Sequence, residues 1–198
     1  MKEFKIRITL TEEMLGMSPT DPEIFDNFIA SNAPDAPTRE EEIEIMGLQA
    51  VQEKGKTVFP KMEDGTPHLW DYQLKGFFKD AVGMLRRVPG TACSKVKAFK
   101  KEIDGLLFIE ERIVPINCAG PIGCCQRPLR TDGPSGSMTA LASGETVPAG
   151  SSFEFTLTLM RDDMENWVRE CLDYGKRRGM CQWRNSGKGR FTWEDISA

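Results

Sequence analysis

The chain has 198 residues, 39% hydrophobic and 28% charged, which suits one compact domain with a buried core and excludes wholesale disorder. No apolar run approaches the roughly 18–20 residues of a membrane-spanning helix, and Met1 to Thr11 lacks the apolar stretch of a secretory signal. The net charge of −4 argues against a generic nucleic-acid coat, yet it is unevenly spread. From Glu12 to Asp64 the balance is −9, whereas Asp71 to Lys101 and Lys176 to Arg190 each carry +6. Six cysteines without a signal sequence point to free thiols in a reducing compartment. The expectation is a soluble cytoplasmic single domain over 1–198, with no membrane partner.

Phe4, Ile6, Ile8 and Leu10 alternate with Lys5, Arg7 and Thr9, the period of a half-buried strand. Pro22 at a first helical position, and Thr20 three residues before Glu23, predict a helix from Asp21. Asn32 to Pro37 breaks it, and Thr38 with Glu41 opens a second helix that Gly55 ends. Together they form an acidic helical insertion over 18–66. His68 to Arg87 predicts the first core helix, with Leu74, Phe77, Phe78, Ala81 and Leu85 at helical spacing.

Lys95 to Lys101 reads as a basic connector and Leu106 to Ile116 as the second core strand. Asn117 to Gly150, with 6 Gly and 4 Pro in 34 residues, reads as a long loop between core strands 2 and 3. Phe153, Phe155, Leu157 and Leu159 mark the third strand. Met164, Trp167, Val168, Cys171 and Leu172 place an apolar stripe on a helix ending near Gly179. A Gly-rich loop, Trp183 to Gly189, leads into a last strand at Arg190 to Ile196. Without the insertion the order is strand, helix, strand, strand, helix, strand. That is an α+β fold with a ferredoxin-like βαββαβ core.

The segment Gly179-Met-Cys-Gln-Trp-Arg-Asn-Ser-Gly-Lys-Gly-Arg-Phe191 resembles the Gly-rich loop of RAMP proteins, the RNA-binding subunits of CRISPR-Cas complexes. Glu145-Thr-Val-Pro-Ala-Gly-Ser-Ser-Phe-Glu-Phe155 is similar to that family's entry into its third core strand. The resemblance covers the core half of the chain and implies a ferredoxin-like, RRM-like fold and nucleic-acid binding. The whole chain also resembles small phage and prophage proteins, which implies the cytoplasm of an infected or lysogenic bacterial host. In that setting the protein would counter host defence by sequestering a nucleotide signal or by imitating a CRISPR subunit.

The residues support an anion site without the family name. Gly187 and Gly189 let backbone N–H groups approach a phosphate, Arg184, Lys188 and Arg190 supply charge, and Trp183 offers a stacking face. The alternative is a tight turn whose glycines only permit positive φ. Arg127 and Arg130 lie in the long loop, which in RAMP backbone subunits reaches across bound RNA. They could equally pair with the acidic insertion. Lys75 and Lys79 add charge on the first core helix. Trp70 and Tyr72 at its mouth read as core or hydrophobic-staple residues, or as base-stacking platforms.

His68 is the sole histidine and has no matched second acid or base. Cys118, Cys124 and Cys125 lack a Cys-x-x-Cys pair suited to zinc. The sequence therefore points to no metal and no cofactor, and to a non-enzymatic binder of RNA or of a small cyclic or dinucleotide-like ligand. Two alternatives stay open. One is a protein-interaction module whose acidic insertion mimics nucleic acid for a host defence protein. The other is a RAMP-type endoribonuclease using His68.

Overall fold

The computed structural model describes residues 1–19, 56–133 and 136–197. In chain order these form β1 (Lys2–Leu10), β2 (Met14–Leu15), β3 (Ser18–Pro19), β4 (Thr57–Val58), β5 (His68–Trp70) and α1 (Asp71–Leu85). Next come α2 (Phe99–Leu106), β6 (Leu107–Ile109), β7 (Ile113–Pro115), β8 (Gly123–Gly133) and β9 (Gly136–Val147). The chain finishes with β10 (Ser152–Leu159), α3 (Met164–Arg178) and β11 (Phe191–Asp195). Short 3-10 turns stand at Ala92–Lys95 and Arg184–Ser186. The two helices expected between Asp21 and Lys54 lie outside the described residues, and with them most of the expected insertion.

The main sheet is antiparallel in the order β11-β1-β10-β6. With α1 and α3 as its two crossovers, this is the ferredoxin-like βαββαβ arrangement. The alternation in β1 sets which face is covered, because a one-residue slip would turn Phe4, Ile6, Ile8 and Leu10 into water. All four are buried, and Ile6 stands opposite Phe155 and Ile8 opposite Phe153. Helices α1 and α3 cover this face with Leu74, Phe77 and Phe78 from one and Trp167, Val168 and Leu172 from the other. The opposite face is polar. There Arg7 donates to Glu154 at 2.7 Å, holding the Glu154 carboxyl below the usual carboxylate range through that bond. Among the described residues, no helix is long and apolar enough to cross a membrane.

Three segments differ from the sequence reading. The first core helix begins at Asp71, because His68–Trp70 is taken up as β5, pairing His68 with Pro115 on β7. The strand expected from Leu106 to Ile116 is two strands. Glu111 turns back and accepts hydrogen bonds from the Thr156 backbone N–H and Oγ1 at 2.7 and 2.8 Å, closing the sheet edge and sending the chain out to β7. The basic connector contains the first turn of α2, whose Phe99, Ile103 and Leu106 follow i, i+4, i+7 spacing.

The long connection between core strands 2 and 3 also carries regular structure. β8 and β9 form an antiparallel hairpin from Gly123↔Thr146 to Gly133↔Gly136. Its base joins a second sheet, where β9 meets β2 and, in parallel, β4. Small residues, Pro128 and glycines make this hairpin poor in β-formers, so its backbone ladder rather than side-chain alternation holds it. Pro128 is tolerated because, among the described residues, β8 pairs on one side only.

Candidate functional site

The Gly-rich loop after α3 is fixed by close backbone packing. Gly179 has φ +76° and Gly189 φ +67°, and an added Cβ would lie 2.2 Å from the Lys188 carbonyl or the Met180 carbonyl, respectively. Only glycine fits both the left-handed region and that approach. Met180 N–H donates to the Gly189 carbonyl at 3.0 Å, and Gly189 N–H donates to the Glu13 carbonyl at 2.8 Å. Gly187 N–H is held by the Arg184 carbonyl at 2.9 Å. The amides of Gly187 and Gly189 are thus spent inside the protein, and these glycines build the turn instead of cradling an anion.

The side chains of the loop have a different outlook. Arg184 Nη1 and Arg178 Nε reach the same Asp80 oxygen on α1, at 3.0 and 3.2 Å. Arg178 also donates to Asn185 Oδ1. Two guanidinium groups on one carboxylate leave one positive charge uncompensated. From the hairpin, Arg127 donates to the neutral Ser186 hydroxyl and adds a second. Arg127, Arg178, Trp183, Arg184 and Asn185 line an open cleft of about 440 Å³, with no acidic side chain among its described lining residues. Met17, Cys181 and Arg184 also border a neighbouring cleft of about 470 Å³, whose far wall is Tyr72, Gln73, Gly76 and Phe77 of α1. Burial pushes the Cys181 thiol up to about 12, so it faces both clefts as a neutral group.

The structure therefore brings Trp183, Arg184, Arg127 and Tyr72 together and leaves other candidates elsewhere. Lys188 is paired with Glu13, which raises its pKa, and lines neither cleft. Arg190 is exposed beside Gly187, and Arg130 stands in β8 opposite Thr139. Lys75 and Lys79 turn toward α2 and β6: Lys79 pairs with Asp104, and the Lys75 ammonium lies 4.9 Å from the Phe108 ring. Trp70 stacks on Tyr72 with centroids 6.4 Å apart, and Arg112 lies over both rings while pairing with Asp71. Sequence reasoning missed Arg178 and Arg112. Arg178 was findable as the last-turn cation nearest the loop, whereas nothing local singles out Arg112.

His68 is no surface group. The residue is 3% exposed, neither ring nitrogen has a hydrogen-bond partner among the described residues, and the ring meets Trp70 edge-on at 4.9 Å. Burial holds its pKa below the ordinary 6.5, so it is neutral at pH 7.

Neither a protein-family model nor a curated protein sequence matches the chain. Solved structures do. A chain of the Type III-B Cmr-beta complex bound to cognate target RNA superposes with a TM-score of 0.55 at 12% identity, over 99% of this chain and 60% of that one. The fold is of the RAMP type. A chain of a Type IV-B CRISPR complex gives a TM-score of 0.50 at 12% identity, over 100% of this chain and 91% of that one. At this identity the likeness carries the RAMP fold alone. The present chain spans only 60% of the length of the Type III-B chain.

Proposed function

We propose that this RAMP-fold chain binds single-stranded RNA, without cutting it, in the cleft between the Gly-rich loop and the β8–β9 hairpin. The observation that carries the reading is Arg127, which reaches from the hairpin to Ser186 and adds its charge to that of the Arg178–Asp80–Arg184 group. Guanidinium groups give phosphate oxygens charge-assisted hydrogen bonds, and Trp183 gives a base a face to stack on. The Type III-B chain of similar fold belongs to a complex bound to target RNA, which supports the same ligand class here. The burial of His68 supports binding over cleavage, since a general acid or base must reach the reacting atoms. A phage-borne copy would on this reading withhold RNA from host defence or stand in for a CRISPR subunit.

Fluorescence anisotropy with labelled single-stranded RNA tests the site. Arg127→Ala with Arg184→Ala should weaken binding at least tenfold. For the wild type, log affinity should fall with log salt by about 0.7 for each phosphate contact. Unchanged affinity in the double variant refutes the site. Tight binding of a cyclic dinucleotide with a shallow slope for every RNA moves the ligand to the small-nucleotide class. RNA cleavage lost in His68→Ala would make the protein an enzyme.

A further inference from the structure

Most cations on the described surface already have a partner. Lys2 pairs with Glu165, Lys61 with Glu145, Arg169 with Asp195 and Lys176 with Asp173. The exceptions gather in the stretch from the end of α1 to the first turn of α2, with Arg177 and Arg190 as further exposed cations elsewhere in the chain. Arg87, Lys95, Lys97, Lys100 and Lys101 are all exposed, and none has an ion-pair partner among the described residues. The carboxylates nearby are engaged elsewhere. Glu102 binds Arg161 at 3.0 Å, Asp104 binds Lys79, and Glu170 accepts the backbone N–H groups of Ala92 and Cys93 at 2.7 and 3.0 Å.

Lys100 and Lys101 also stand in the first turn of α2, at the end of a helix whose dipole favours anions. Ala98 at the N-cap brings no side-chain oxygen to that turn. Such crowding of like charge raises the energy of the free protein and is relieved by an anion.

We propose that this end of the helical layer is a second RNA contact, gripping the phosphate backbone without regard to base sequence. The inference extends the cleft reading and rests partly on it. The composition of the patch favours a nucleic acid over a protein partner. Protein interfaces are depleted in lysine and enriched in aromatics at their centre. This patch is mostly lysine, and its one aromatic, Phe99, is half-buried under Arg86 at 5.3 Å. Tyr72 lines the second cleft, and at 1.5 Å per residue the end of α1 at Leu85 lies about 20 Å further along the helix axis. An RNA that leaves the cleft along α1 reaches the lysines only if it extends beyond a few nucleotides.

The test compares wild type, K95Q/K97Q/K100Q/K101Q and R127A/R184A by anisotropy, using a uridine tetranucleotide and a thirty-nucleotide oligouridylate. Melting curves establish that the exposed glutamines leave the fold intact. The glutamine variant should bind the long RNA at least tenfold more weakly, with a salt slope shallower by about 2–3, and the tetranucleotide as the wild type does. Equal affinity and slope on the long RNA overturn the proposal. So does polyglutamate matching the long RNA as a competitor for the lysines, which would assign the patch to an acidic protein. Loss of long-RNA binding in the glutamine variant with no effect in R127A/R184A sinks the cleft and leaves the patch standing.

Discussion

Asp80 holds two arginines, and this makes it a brake on the charge of the cleft. Asp80→Asn should raise RNA affinity about three- to tenfold at low salt while lowering the melting point by a few degrees, because the helix–loop clamp loses its anion. Anisotropy and thermal melting on the same sample check both signs; weaker RNA binding would mean that Arg184 is not presented to the ligand. His68 makes the opposite kind of statement, a buried polar ring with no hydrogen-bond partner among the described residues. Its folded pKa lies below the unfolded 6.5, so as pH falls through 6.5 the unfolded chain takes up a proton that the folded one refuses. Stability is full above 6.5 and declines as pH drops toward the folded pKa. His68→Leu should be at least as stable as wild type at pH 7, and its advantage should widen by pH 5.5 in urea unfolding.

At the level of elements, the loop between α3 and β11 depends on two glycines pressed backbone to backbone. Gly189→Ala must place a Cβ 2.2 Å from the Met180 carbonyl at positive φ, which should cost about 1–3 kcal/mol and several degrees of melting temperature. A melting point unchanged by that substitution would show that the loop is not held as described. This loop was visible in the sequence because Gly179, Gly187 and Gly189 punctuate it, but their purpose was not. Which way an amide points depends on contacts with Glu13 and Met180, and one of those lies more than 170 residues away in the chain. The strands β1 and β10 and the helices α1 and α3 were legible from strong periodicity. The hairpin was not, because small residues and Pro128 carry little alternation. Its one local sign was the turn-forming run Asp132-Gly-Pro-Ser-Gly136. Helix α2 hid in the same way, its apolar positions Phe99, Ile103 and Leu106 masked by the lysines between them.

Across the whole molecule, the strand order followed from the sequence of elements, while the clefts did not. They arise where the loop after α3, the hairpin and the mouth of α1 meet, and no window of sequence contains all three. The same long-range closure governs how the chain comes to be. β1 takes both its partners, β10 and β11, from the far end of the fold, with about 140 residues between Leu10 and Ser152. At about 5–20 residues per second of synthesis, a ribosome needs about 7–30 s to cross that interval. Throughout it, a strand with four large apolar side chains and two open edges waits on the nascent chain. Such a strand is prone to aggregate, so a chaperone at the exit tunnel, slow expression or cool growth should each raise the yield of folded protein.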